Sequence, residues 1–169
     1  NGEIACGNAE RSVATAAPAG PAFEGGEILY GMRATEGAIE GVVLTNGEVE
    51  LQVIGGDVEP KGICGSGLID IVAQLRLAGL IDDGGKMVTR EDAEAARHPL
   101  AGHIVMRDEV RAFQLAGEII LTQSDVRALQ FAKGAISTGI ETAMRALDLH
   151  AEDLDEVMLA GSFGSYINP

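Results

Sequence analysis

Asn46-Gly47 stands between two runs in which apolar and polar residues alternate, and together they restrict the fold more than any other stretch. Both central residues of a two-residue hairpin turn need positive φ, which Asn and Gly tolerate best. Residues 39–53 therefore read as an antiparallel pair. With that turn Leu44 faces Val49 and Val42 faces Leu51, while Glu48, Glu50 and Gln52 fall on the opposite side. One face is buried and the other is wet. A chain with such a pair cannot be all-α.

Helical periodicity supplies the remaining layers. Residues 66–78 predict a helix with Ser66 as a cap and Gly79 ending it. Leu68, Val72 and Leu75 form one stripe; Ile69, Ile71 and Leu77 spread apolar character around it, so most of this helix should be buried. The IDDGG segment reads as a turn, and EDAEAARH as a short polar helix ending near Pro99. Residues 103–106 and 113–121 are strand-like and suited to pairing. Residues 124–147 predict the longest helix, opened by a capping box or a plain serine cap within Thr122-Gln123-Ser124-Asp125. Its apolar face holds Val126, Leu129, Ile136, Ile140, Met144 and Leu147. Residues 155–160 read as a buried strand entering a glycine turn. At the other end, residues 2–6 read as a strand end and residues 8–26 as a loop with one helical turn before Pro18. This order gives α/β or α+β.

The bulk chemistry narrows the partners. At 169 residues the chain can bury one proper core. Aromatics are 4% and Trp is absent, so that core rests on Val, Ile, Leu and Ala. A net charge of −14 argues against nucleic acid, whose phosphates need Lys and Arg to displace counterions. Cys6 and Cys64 are far apart; they can pair, yet they make no disulfide framework or cysteine metal site. His98, His103 and His150 have no ligand spacing, so no metal site is expected. No apolar run reaches membrane-span length, and no membrane partner is expected. The chain starts Asn1-Gly2-Glu3, without Met, and shows no signal peptide.

Three stretches could carry chemistry. Cys64-Gly65-Ser66-Gly67 precedes a helix; small residues there let a ligand approach free backbone N–H groups, and a helix start favours negative charge. The same residues also make an ordinary tight loop-to-helix junction. Gly161-Ser162-Phe163-Gly164 follows the apolar run Val157-Met158-Leu159-Ala160 and suits backbone approach to a ligand at a strand end, or a plain β-turn. It lacks the third glycine of the dinucleotide fingerprint. Gln130, Lys133 and Ser137 follow helical spacing on or beside the apolar stripe, where they either reach a polar ligand or, for Lys133, snorkel to the surface.

Five segments in matching order, NGEIACGN, APAGPAFEGGEI, PKGICGSGLIDIVAQL, DVRALQFAKGAISTGI and LAGSFGSYIN, resemble the ATPase region of the reductive activators of corrinoid-dependent proteins. Those activators belong to the acetate and sugar kinase, heat-shock chaperone and actin superfamily. The resemblance implies a partial actin-like (ribonuclease H-like) ATPase domain with a mixed sheet and flanking helices, cut at both ends. It implies ATP with Mg as the ligand of the intact protein, and a plant-type 2Fe-2S cluster in an N-terminal domain outside this chain. It implies cytoplasmic reactivation of a Co(II) corrinoid protein to Co(I), with that protein as partner; a second copy of the chain is a further partner to consider.

By the same resemblance, Asn1, Gly2 and Glu3 correspond to the tail of the second phosphate hairpin. Cys64, Gly65, Ser66 and Gly67 correspond to the helix start beside the nucleotide. Gln130, Lys133 and Ser137 echo the helix that contacts adenosine, and Gly161, Ser162, Phe163 and Gly164 echo the adenosine turn. The first phosphate hairpin has no counterpart, so little ATP hydrolysis is expected from this stretch alone, and the catalytic residue is not identified. Two other readings stand beside this one: a non-catalytic lobe for docking or dimerisation, and a small-molecule kinase of the same superfamily.

Overall fold

The structure is a computed structural model that describes residues 2–161. Its strands form three small sheets. β1 (Glu3–Gly7) pairs antiparallel with β2 (Ser12–Ala16). β3 (Ala38–Thr45) lies between β4 (Glu48–Val53), antiparallel, and the short β5 (Gly62–Ile63), parallel. β6 (Ile104–Arg107), β7 (Val110–Ala116) and β8 (Ile119–Thr122) make an antiparallel meander. Helix α1 (Gly65–Leu77) lies on β3, and α2 (Arg90–Ala95) is a short excursion capped by the Thr89 hydroxyl. Helix α3 (Gln123–Ala146) runs against both the β1–β2 hairpin and the β7–β8 pair. The β4–β3–β5 sheet is thus mixed, the other two are antiparallel, and helices flank them.

The β3–β4 hairpin has the expected register: Leu44 opposes Val49 and Val42 opposes Leu51. Asn46 and Gly47 adopt φ of 49° and 91°, as the two-residue turn demands. A Cβ at Gly47 would also lie 3.2 Å from Pro99. Gly47→Ala is expected to cost about 1–2 kcal/mol through left-handed strain, measured as a lower midpoint in a denaturant melt.

Both helix boundaries have identifiable causes. Helix α1 ends in a Schellman motif: the Leu80 N–H donates to Leu75 O at 2.8 Å and Gly79 N–H to Arg76 O at 3.0 Å, with Gly79 at φ 76°. Leu75 and Leu80 are both fully buried beside this motif. At the start of α3 the capping box is the one realised. Thr122 Oγ1 accepts from Asp125 N, and the Asp125 carboxylate accepts from the Thr122 N–H. The main core joins Ile39, Ile63, Leu68, Ile71, Phe113 and Leu121, all almost without solvent contact.

Five expectations are corrected. Residues 8–26 are not all loop, because Ser12–Ala16 is a strand; small Ala and Thr side chains hide the alternation, and the partner β1 sets it. The single helical turn comes after Pro21, at Ala22–Glu24, rather than before Pro18. Residues 113–121 hold two strands, broken at Gly117, whose φ of 52° reverses the chain. Leu77 is 82% exposed and Ile140 is also exposed, so the buried sides of the two helices are narrower than the apolar count suggested. The pairing left open for Cys6 and Cys64 is not made, and both are free thiols. Finally, residues 155–160 form no strand, and Val157, Met158 and Leu159 are exposed. An extended apolar segment is buried only when a neighbour takes its backbone groups and side chains, and no described strand lies beside this one.

Candidate functional site

The site is best built outward from α3. Residues at spacings of three, four and seven share one helix face, and Gln123, Arg127, Gln130 and Ser137 follow that progression, with Lys133 alongside. Their surroundings differ along the helix. Gln123 and Gln130 are committed to the turn at residues 84–87: Gln123 Nε2 donates to Gly85 O at 2.8 Å, and its Oε1 accepts from Met87 N at 2.7 Å. Gln130 Nε2 donates to Gly84 O at 3.0 Å. Lys133 and Ser137 are exposed and form no side-chain hydrogen bond or ion pair with other described residues. Lys133 does not snorkel out of the core, since it is already on the open side of the helix.

The β1–β2 hairpin meets the same helix at Gly139, two residues past Ser137. A Cβ at Gly139 would lie 2.5 Å from Ile4 Cδ1 and 3.4 Å from Ala17 Cβ. The missing side chain lets the β1–β2 hairpin seat on α3 through Ile4 and Ala17. Gly2 O accepts from Ala17 N at 2.8 Å, which closes the hairpin mouth.

The start of α1 is organised differently. Cys64, Gly65, Ser66 and Gly67 are all buried. Ser66 does not cap the helix, correcting the expectation: Cys64 holds the cap position, and the Ser66 hydroxyl lies 3.3 Å from the Cys64 thiol. The thiol also donates to Ile39 O at 3.3 Å. A Cβ on Gly67 would collide with the Ile39 carbonyl oxygen and sit 2.8 Å from its carbon. These small residues let α1 pack directly on the backbone of β3. No hydrogen bond between described residues links them to Gln130, Lys133 or Ser137.

Gly161 has φ 98° and open space where a Cβ would go. Asn1, Ser162, Phe163 and Gly164, together with residues 165–169, lie outside the described residues. Among the described residues no group of three or more His, Cys, Asp or Glu is placed to hold a metal ion, and no helix is long and apolar enough to cross a membrane.

Sequence reasoning missed two features. One is the burial of the Asp125 carboxylate and its tie to Leu29, beyond the expected cap in which one oxygen accepts from Thr122 N and Thr122 Oγ1, each at 2.7 Å. The other oxygen accepts from Leu29 N at 2.9 Å. The second is a cationic cavity in which Arg127 meets Lys86 and Arg111. The α3 spacing of Gln123, Arg127 and Gln130 was the available signal; Lys86 and Arg111 come from distant positions.

Comparison with known proteins agrees with this architecture. A corrinoid activation enzyme, RamQ, from Eubacterium limosum is 41% identical over 99% of the chain, which covers 29% of that protein. A [Co(II) methylated amine-specific corrinoid protein] reductase from Methanosarcina barkeri is 28% identical over 99% of the chain and 31% of its own length. A solved structure of a reductive activator for corrinoid, iron-sulfur protein superposes with a TM-score of 0.83 at 40% identity, over 98% of this chain and 27% of that one. The chain therefore spans less than a third of each relative. Its fold is the actin-like fold of that structure, and residues 1–169 match, end to end, the C-terminal ASKHA domain of RACo, the family to which this chain belongs.

Proposed function

We propose that this chain is part of an ATP-dependent reductive activator that returns an inactivated Co(II) corrinoid protein to Co(I), and that it contributes one wall of the nucleotide site. The observation that carries this reading is the end-to-end family match, together with relatives named for corrinoid activation. A cytoplasmic corrinoid protein is the proposed partner. The iron–sulfur cluster of such activators would be held outside residues 1–169.

The donor set on α3 fits the adenosine part of ATP. An ammonium at Lys133 and a hydroxyl at Ser137 can serve ribose and ring-nitrogen acceptors, and both are exposed with no described partner. Gln130 would contribute while bridging to Gly84. Gly2 and Glu3 would contribute backbone at the mouth of the β1–β2 hairpin, with Asn1 preceding them in the sequence. Gly161, Ser162, Phe163 and Gly164 would supply the close-approach turn. Cys64, Gly65, Ser66 and Gly67 would take part by positioning α1, because they are buried against β3. ATP, with its Mg, would supply free energy through binding or hydrolysis; this chain's part is to hold the nucleotide more tightly in one conformation of the cleft than in another, which couples that energy to electron transfer.

Lys133→Ala tests the reading. Loss of one charge-assisted hydrogen bond, about 1.5–3 kcal/mol, is expected to weaken ATP about tenfold or more in a calorimetric titration. The melting temperature should stay constant because the side chain is exposed. Gly161→Val should weaken ATP in the same direction. Unchanged ATP affinity in both variants would remove α3 and the turn from the nucleotide site.

A further inference from the structure

We propose that the cavity between the 84–86 turn, β7 and the first turns of α3 binds a phosphate-class oxyanion through Lys86, Arg111 and Arg127. The cavity is about 170 Å³. The chain carries 26 acidic and only 12 basic residues, yet three cations line this one space and no carboxylate does. Like charges gathered without a counterion repel one another.

The two acids of the adjoining turn, Asp82 and Asp83, are already engaged. Asp82 Oδ1 accepts from the backbone N–H groups of Gly84 and Lys86, at 2.9 and 2.8 Å. Asp83 pairs with Arg76 at 2.6 Å. Arg76, Arg90, Arg107 and Arg145 each have a carboxylate partner. Lys86, Arg111 and Arg127 form no ion pair among the described residues. Arg111 Nη1 does donate to the Met87 carbonyl, a neutral acceptor that orients the guanidinium and leaves its charge unbalanced.

The cavity is also rigidly framed. Gln123 and Gln130 fasten the 84–87 backbone to α3 by three hydrogen bonds. A Cβ at Gly85 would collide with the Gln130 amide, so turn and helix lie in direct contact, and Gly85 holds φ 80°. Lys86 is thereby presented toward a helix that carries Arg127. Two guanidinium groups and an ammonium match an ion with several oxygens and more than one negative charge; guanidinium binds such oxygens two at a time. A single carboxylate would leave cations unmatched. The bound phosphate can be free or carried on a nucleotide.

The test is calorimetric titration of the chain with inorganic phosphate, pyrophosphate, ATP and adenosine, for the wild type and for Lys86→Gln/Arg127→Gln. Both side chains are exposed, so a thermal melt should confirm an unchanged fold. Saturable pyrophosphate binding is expected in the wild type, weakened about tenfold or more in the double variant. Lys133→Ala should leave it unchanged, while adenosine, which has no phosphate, should respond only to Lys133→Ala. If ATP alone binds and the double variant weakens it, the phosphate is the nucleotide's own. No saturable binding of phosphate, pyrophosphate or ATP, or binding that the double variant leaves unchanged, would overturn the proposal. Because adenosine and pyrophosphate report on different residues, failure of this cavity and failure of the α3 nucleotide wall are separate results.

Discussion

Replacing Gly67 by alanine is expected to lower the stability of the fold by about 2–3 kcal/mol with no ligand present. An added methyl group there would occupy the space of the Ile39 carbonyl oxygen, with the carbonyl carbon at 2.8 Å and Glu40 Cα at 3.2 Å. All of these are backbone atoms of β3, the middle strand of its sheet, so none can rotate away as a side-chain end would. Alanine has better helix propensity than glycine by about 1 kcal/mol, which works in the opposite direction. Overpacking in a closed core typically costs 1–3 kcal/mol and occasionally more, and a helix pushed off its strand also disturbs Leu68, Ile71 and Leu75, all fully buried. With rigid backbone as the obstacle the overpacking lies at or above the top of that range, about 3–4 kcal/mol, so the net loss is about 2–3 kcal/mol. For a domain of this size the melting temperature should fall by roughly 5–10 °C. The result separates two meanings of a glycine at a helix start. If Gly67 is there for a ligand, apo stability should be unchanged or improved, and only binding should suffer. A melt at or above the wild-type temperature would show that α1 and β3 are not held this closely.

That distinction was hidden in the sequence. Cys64-Gly65-Ser66-Gly67 reads equally well as a ligand loop or as a packing junction, because the deciding atom is Ile39 O, 28 residues upstream of Gly67 and adjacent only in space. The β3–β4 hairpin was legible down to its register because every determinant is local: the positive-φ pair at Asn46-Gly47 and the period-two alternation on either side. The α3 cap was legible as one of two local alternatives, and the structure selects Thr122 with Asp125.

Where pairing is set by distant partners, local pattern failed. Ser12–Ala16 carries mostly small residues and becomes a strand through Glu3–Gly7. The run Val157-Met158-Leu159 has strong strand character but no described neighbour, and it stays exposed. The candidate site divides the same way. That Gln130, Lys133 and Ser137 share one side of α3 follows from helical spacing alone, whereas the cationic cavity joins positions 86, 111 and 127 from a turn, a strand and a helix, and only the fold brings those charges together.

Asp125→Ala is expected to have a still larger effect, about 3–5 kcal/mol. The side chain is 1% exposed and its two oxygens receive three donors. Loss of the reciprocal cap at the start of α3 costs about 1 kcal/mol. A buried donor left without an acceptor costs about 1–3 kcal/mol, and the variant strands the N–H and hydroxyl of Thr122 together with the N–H of Leu29. The carboxylate also lies in the first turn of a 24-residue helix, where negative charge is favoured by the exposed N–H groups. The Leu29 contact distinguishes this residue from an ordinary cap. It ties the segment between β2 and β3 to the helix that carries the proposed nucleotide wall, across 96 positions of sequence. Asp125→Asn keeps one acceptor oxygen and should lose about half as much. Amide hydrogen exchange gives the residue-specific reading: Leu29 and Thr122 should exchange faster in the alanine variant, while amides in the β3–β4 hairpin, which Asp125 does not touch, should change only by the overall loss of stability. Equal acceleration at all sites would reduce Asp125 to a general stabiliser. A protected Leu29 amide in the alanine variant would mean that the 28–29 segment is held to α3 by packing alone.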